Sequence, residues 1–100
     1  MINFNIILLP TAKADLNEMV DYLSQFYPST ALKQYDRIIE KINQLKQFPL
    51  MCEEYQLPVS TFQYRRMVVD NYLVFYVVYE EIVEIHNILN SRMNVSEIIK

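Results

Sequence analysis

Residues 62–89 decide the fold, because they read FQYRRMVV, DN, YLVFYVVY, EE and IVEIHNIL in succession. The three longer segments are rich in the β-branched and aromatic residues that favour strands, and they span 62–69, 72–79 and 82–89. The dipeptides Asp70-Asn71 and Glu80-Glu81 have the length of tight hairpin turns. Glutamate adopts a positive φ poorly, so the second turn is expected to be longer than two residues. These residues predict an antiparallel meander of three strands.

The middle segment, 72–79, is apolar at both even and odd positions. Side chains alternate between the two faces of a strand, so this pattern predicts a central strand that is covered on both sides. Helices are expected to cover one face, and the C-terminal tail or a partner the other. A patch formed by Tyr64, Tyr72, Val74 and Tyr76 would otherwise be large for a free monomer.

The residues before the meander predict one strand and two helices. Residues 2–8, INFNIIL, alternate with period two and indicate a half-buried strand. Apolar residues then recur at helical spacing in two stretches, the first ending at Pro28 and the second running to about Gln47. Pro10-Thr11 and Ser29-Thr30 are the expected N-caps. A loop is predicted for residues 49–61, which carry two prolines and no clear period.

The predicted order is therefore β-α-α-β-β-β. This is an α+β fold in which an antiparallel sheet packs on a helical hairpin. A short C-terminal helix is compatible with the tail. At this length, residues 1–100 are expected to form a single domain.

Composition excludes several classes of function. The chain has no glycine, which rules out Walker loops, Rossmann fingerprints and EF-hand loops. Its net charge of −3 argues against a broad cationic surface for nucleic acid. A single cysteine, Cys52, allows no disulfide framework and no zinc ligand set. We expect no cofactor, no metal and no membrane span, and a cytoplasmic location.

Few side chains are promising for chemistry. His86 is expected to be exposed or at an edge with no role. Cys52 lies beside the acidic Glu53 and Glu54 and is expected to be buried or idle rather than a nucleophile. The arginines are better candidates. Arg65 and Arg66 are adjacent in a strand and must point to opposite faces.

Arg92 follows the last strand and is expected to converge with one member of the pair at the same end of the sheet. Guanidinium groups suit carboxylate or phosphate recognition. A purely structural role, in ion pairs with Glu84 or Asp70, is the equally weighted alternative.

The segments LPTAKADLNEMVDYL, YRRMVVDNYLVFYVV and VEIHNILNSRMN, in this order and spacing, resemble the RelE/ParE toxin superfamily. These proteins are the toxins of type II toxin–antitoxin modules and are often called plasmid-stabilisation proteins. The resemblance extends from Phe4 to about Ile98. It implies the α+β fold described above, growth inhibition and a cognate antitoxin.

The resemblance implies two alternative activities. RelE-like members are ribosome-dependent, metal-independent endoribonucleases that cut mRNA with basic residues and a C-terminal tyrosine. Arg66 and Arg92 match two basic residues of that set. Leu73 stands where a further arginine is expected. The position expected for the tyrosine falls near Ile98, where this chain has no tyrosine. If the chain were a nuclease, its catalytic candidates would be Arg66 and Arg92, with His86 or Tyr64 taking a proton.

The ending ILNSRMN is more similar to the ParE-like branch, although Asn90 stands where a histidine is common there. ParE-like members resemble non-enzymatic inhibitors of DNA gyrase. The sequence therefore favours such an inhibitor, hetero-oligomeric with its antitoxin, over a nuclease that would bind the ribosome and mRNA. Whether any catalysis remains is left open. The target-binding residues implied are Arg65, Arg66, Arg92 and Asn94.

Overall fold

The structure, a computed structural model, describes residues 3–57 and 60–92. Its elements are β1 (Asn5–Leu8), α1 (Pro10–Phe26), α2 (Pro28–Gln44), β2 (Glu54–Tyr55), β3 (Tyr64–Val69), β4 (Tyr72–Tyr79) and β5 (Ile82–Asn90). The predicted α+β class and helical hairpin are confirmed. The strand β2 lies inside the segment predicted to be a loop. The C-terminal helix lies outside the described residues.

Prolines begin both helices, where side-chain caps were predicted. Leu9 and Tyr27 occupy the N-cap positions without a side-chain hydrogen bond, and Pro10 and Pro28 follow them. Proline suits the first helical position because the N–H that it lacks would have no partner there. Pro28 therefore starts α2 directly after α1 ends. The Thr11 hydroxyl donates to the carbonyl oxygen of His86, at 2.5 Å, and so ties α1 to β5.

The five strands form one sheet in the order β1-β5-β4-β3-β2, with β4 in the centre as predicted. The meander of β3, β4 and β5 is antiparallel, and β2 pairs antiparallel with β3. β1 instead pairs parallel with β5, so the sheet is mixed. The helical hairpin separates β1 from the meander, and no tight turn forces an antiparallel direction on it.

The predicted two-sided burial of β4 is confirmed. On one face Val74 and Tyr76 pack with the helices, around Ile38 and Ile42 of α2. On the other face, which we call the open face, a smaller cluster contains Leu57, Tyr64, Phe75, Val77 and Leu89. Leu57 comes from the segment after β2, so the chain itself covers part of this face.

The predicted patch of four apolar residues is wrong, because its members are divided between the two faces. Tyr64 lies on the open face, whereas Tyr72, Val74 and Tyr76 pack with the helix-side core. The register explains this division. Tyr76 is paired with Arg65, so Tyr64, one residue earlier in β3, must point to the opposite side.

Both hairpin turns contain two residues, so the longer second turn was wrongly predicted. Tyr79 pairs directly with Ile82, and Val69 pairs with Tyr72. The first residue of each turn has a positive φ, 56° at Asp70 and 53° at Glu80. Within residues 3–57 and 60–92, both left-handed positions are therefore occupied by acidic residues, in a chain that has no glycine.

Replacing Glu80 with glycine is expected to raise the free energy of unfolding by about 0.5–1 kcal/mol, because glycine adopts a positive φ without steric cost. Glu81→Gly is the matched control. Its φ is not positive, so it should lower stability by a similar amount through the entropy of the unfolded chain. Urea denaturation of both variants measures the difference. Equal effects would show that the backbone at Glu80 is not strained.

No helix among the described residues is long and apolar enough to span a membrane.

Candidate functional site

The two adjacent arginines of β3 point to opposite faces, as predicted, and each is held by an acidic residue in or beside β2. The Arg65 guanidinium donates to the carbonyl oxygen of Cys52 at 2.6 Å and contacts the Glu54 carboxylate at 3.4 Å. Arg66 donates to Glu53 at 2.5 Å and lies 4.7 Å from the ring centroid of Tyr55. The segment around β2 thus binds both guanidinium groups.

The carboxylates predicted as structural partners of the arginines bind other groups. Asp70 accepts two hydrogen bonds from Arg37 of α2, at 2.7 and 3.1 Å, and one from Gln34. The hydrogen bond from Arg37 is the main cause of a lowered Asp70 pKa. Glu84 contacts His86. The acidic residues that do pair with the arginines, Glu53 and Glu54, lie in the segment that the sequence predicts as a loop.

Arg92 does not converge with Arg66. Arg66 is level with Phe75 of β4, which is paired with Asn87 of β5, and Arg92 lies five residues beyond Asn87. In addition, β4 lies between β3 and β5, so these two strands are separated by two interstrand spacings, about 10 Å. Arg92 is exposed, and its backbone N–H is bonded to the Asn90 side chain at 3.0 Å. The two guanidinium groups therefore have separate environments. Asn94, the fourth predicted site residue, lies outside the described residues.

His86 is buried, which the sequence analysis did not predict. It is 6% exposed, and both ring nitrogens are bonded: Nδ1 lies 2.9 Å from the Tyr64 hydroxyl and Nε2 lies 2.6 Å from Glu84 Oε1. A carboxylate accepts hydrogen bonds, so Nε2 carries the proton and a neutral ring accepts at Nδ1. Tyr64 then donates its hydroxyl proton to His86, and Tyr79 donates to the second oxygen of Glu84 at 2.8 Å.

Four side chains, Tyr64–His86–Glu84–Tyr79, form a hydrogen-bonded chain with the order of an acid–base relay, and its Tyr64–His86 end has little access to solvent. Tyr64 is 3% exposed, and the Phe62 ring lies edge-on to His86 with the centroids 4.9 Å apart. Burial raises the pKa of the Tyr64 phenol, which disfavours the phenolate that a nucleophile would need. The relay connects β3 to β5 across the open face, and only its Tyr79 end reaches the surface.

A cleft of about 570 Å³ lies between α1 and the ends of β4 and β5. It is lined by Asp15, Glu18, Met19, Tyr22, Tyr72, Ile88, Leu89, Asn90 and Arg92. Asp15 accepts hydrogen bonds from the Ile88 backbone N–H at 2.9 Å and from the Asn87 side chain at 3.2 Å. Burial raises the Asp15 pKa, against the opposing effect of these bonds. In the sequence, only the helical spacing of Asp15, Met19 and Tyr22 on α1 indicates that they share a face of the cleft.

Cys52 is half-buried and is a free thiol. Within residues 3–57 and 60–92, no three His, Cys, Asp or Glu side chains gather into a candidate metal site.

Comparison with solved structures supports the fold. A chain of the chromosomal ParDE toxin–antitoxin system from P. aeruginosa superposes with a TM-score of 0.72 at 20% identity, covering 87% of this chain and 95% of that one. A chain of the RelB-RelE antitoxin–toxin complex from Methanococcus jannaschii gives a TM-score of 0.54 at 17% identity, covering 94% and 99%. No curated protein sequence matches significantly.

The sequence itself matches a family, and the match covers nearly every element described above. The family model is that of the ParE toxin of type II toxin–antitoxin system, parDE, and it matches residues 6–95. This range includes the helical hairpin, all of the meander and Arg65, Arg66 and Arg92. The chain therefore belongs to the ParE toxin family of type II toxin–antitoxin systems.

Proposed function

We propose that this ParE-family toxin inhibits DNA gyrase without catalysing a reaction, and that a cognate antitoxin neutralises it. Membership of the ParE family is the observation that carries the proposal. The toxin would act in the cytoplasm, where gyrase and DNA are found, and its growth inhibition would support plasmid stabilisation. Its resting form would be a hetero-oligomer with the antitoxin.

The positions that would carry nuclease chemistry support a non-enzymatic role. Leu73 stands where RelE-like toxins have an arginine, and no tyrosine follows Tyr79 in the sequence. Arg66, which is kept, is already bound to Glu53 and stacked on Tyr55. Stabilising a developing phosphorane needs preorganised donors aimed at the phosphate, and losing such donors typically costs orders of magnitude in rate.

The proposed contacts with the target are Arg65, Arg66, Arg92 and Asn94. Arg92 is the most available of the described three, because it is exposed and forms no ion pair with a described residue. Arginine is enriched among residues that dominate binding energy in interfaces. We therefore expect Arg92 to contribute more to target binding than Arg65 does.

The order in which macromolecular synthesis stops tests the proposal. Induction of the chain without antitoxin, followed by pulse-labelling, should reduce DNA synthesis before protein synthesis. Arg92→Ala should delay the arrest, whereas Arg37→Ala, which removes an exposed arginine bonded to Asp70, should not. Purified toxin should then inhibit supercoiling by gyrase. An early collapse of protein synthesis would contradict the proposal.

A ribosome-dependent endoribonuclease is the second candidate, and the 2.9 Å contact between Tyr64 and His86 favours it. This pair has the geometry for proton transfer, as a general base requires. Its burial opposes the assignment, since a scissile phosphate would have to displace Phe62. If RNA is cleaved and Arg92→Ala abolishes the cleavage, the second candidate replaces the first.

A further inference from the structure

Two arginine–carboxylate pairs of this structure differ in how much of the guanidinium group they use. Arg37 donates to Asp70 from Nε at 2.7 Å and from Nη2 at 3.1 Å, one bond to each carboxylate oxygen. Arg66 donates to Glu53 from Nη2 alone, at 2.5 Å. Two parallel bonds give the stronger and more specific arrangement of a guanidinium with a carboxylate. The Arg66 pair therefore uses half of the donor fork that the Arg37 pair uses in full.

The unused half of the Arg66 fork is a buried donor. Its Nε is the only buried side-chain nitrogen or oxygen among the described residues that has no hydrogen-bond partner in the protein. A buried donor without an acceptor costs free energy, and the cost is greater when the group is charged. An acceptor that reaches Nε and Nη2 together would remove this cost. The Arg66 guanidinium is thus better suited to a second carboxylate geometry than to the one that Glu53 provides.

The guanidinium of Arg66 is also held in a fixed position on the open face. It stacks on the Tyr55 ring, with its central carbon 4.7 Å from the ring centroid. Tyr55 packs edge-on against Phe75, with the centroids 5.4 Å apart, and Phe75 is fully buried in β4. The arginine therefore rests on a platform that is anchored in the sheet. A side chain that is already ordered loses less conformational entropy when it binds a ligand.

The Glu53 carboxylate, by contrast, can leave Arg66 without unfolding the segment around β2. Its side chain is 67% exposed, and exposed ion pairs contribute little to stability. The Glu53 main chain is attached separately, because its carbonyl oxygen accepts the Arg66 backbone N–H at 3.1 Å. Rotation of the Glu53 side chain alone is therefore enough to release the guanidinium.

We infer that Arg66 is a carboxylate-binding site, which Glu53 occupies in the free toxin and an aspartate or glutamate of the target protein occupies on binding. This inference rests on the proposed function. The incoming carboxylate accepts from both Nε and Nη2 and so completes the arrangement seen at Arg37. A carboxylate is favoured over a DNA phosphate because Glu53 and Glu54 remain beside the site and the net charge of −3 opposes a polyanion.

Inhibition of gyrase supercoiling by the purified full chain tests this exchange. Glu53→Gln removes the internal competitor, so half-inhibition should need about two- to fivefold less toxin, in line with the small contribution of an exposed ion pair. Asp70→Asn is the matched control. It makes the same change in net charge and releases Arg37 instead, and it should leave the inhibition unchanged. Equal or weaker inhibition by Glu53→Gln than by the wild-type chain would overturn the inference.

A double substitution shows whether the gain passes through Arg66. Arg66→Ala should weaken inhibition about tenfold or more, and adding Glu53→Gln to it should then have no effect. A gain of the same size without Arg66 would reveal a general effect of charge and overturn the inference. Binding of a short DNA duplex by Glu53→Gln in the absence of gyrase would identify phosphate as the ligand and also overturn it.

The same assay separates this inference from the function on which it rests. If the wild-type chain does not inhibit gyrase at any concentration, the proposed function fails, and the inference fails with it. If the wild-type chain inhibits gyrase and Glu53→Gln does so equally well, the inference alone is contradicted.

Discussion

Replacing His86 with alanine is expected to lower the free energy of unfolding by about 3 kcal/mol. The substitution removes two hydrogen bonds and deprives the buried Tyr64 hydroxyl of its acceptor, which costs about 1–3 kcal/mol. The imidazole also leaves a cavity beneath Phe62, and cavities add a further loss. Urea denaturation monitored by far-ultraviolet circular dichroism measures the change.

Tyr79→Phe is the control for this prediction. Tyr79 is the exposed end of the same relay and bonds the outer oxygen of Glu84, so its loss should be much smaller. The comparison also separates the two candidate functions. If His86→Ala leaves stability unchanged but abolishes growth arrest, the relay is functional and the nuclease candidate gains support. A destabilised variant whose arrest returns at lower temperature supports a structural relay.

Asp15→Ala is expected to lower the free energy of unfolding by about 2 kcal/mol, because the Ile88 N–H loses its acceptor at a partly buried edge. Asp15→Asn should cost much less, since an amide oxygen can still accept this bond. The pair therefore separates the hydrogen bond from the charge. Equal losses in both variants would show that the carboxylate charge is what stabilises the contact.

The stability of Asp15→Asn relative to the natural chain should depend on pH with a definite sign. Burial raises the Asp15 pKa in the folded state above its ordinary value of 3.8, so folding favours the protonated form. The resulting stabilisation is complete below the unfolded pKa and is lost as pH rises through the folded pKa. Stability of Asp15→Asn relative to the natural chain should therefore increase between about pH 4 and pH 7. A decrease over this range would contradict the assignment.

Much of the fold could be predicted because the apolar pattern of the meander allows few alternatives. The strand 72–79 is apolar on both faces, which requires a central position, and the two-residue gap at Asp70-Asn71 predicts the first hairpin. β2 was not predictable from pattern, because two residues cannot show a period and they become a strand only by pairing with Tyr64 and Arg65. The parallel direction of β1 likewise depends on tertiary packing.

The candidate site was harder to predict than the fold. The opposite orientation of Arg65 and Arg66 follows from strand geometry, but their partners, Glu53 and Glu54, come from a segment without a pattern. The burial of His86 is not recognisable from local sequence, because its partner Tyr64 is 22 residues away and lies across β4. One signal was present. Glu84 and His86 are two residues apart in a strand, a spacing that places side chains on the same face.

The pairing of β1 with β5 also limits when the toxin can form during its own synthesis. The bond between Thr11 and His86 joins residues that are 75 positions apart, so the first strand gains its partner only after the last strand has been translated. Contacts this distant in sequence slow folding, because a large loop must close before they form. A nascent chain still lacking β5 cannot complete the sheet. We therefore expect the complete sheet to form only after β5 has left the ribosome.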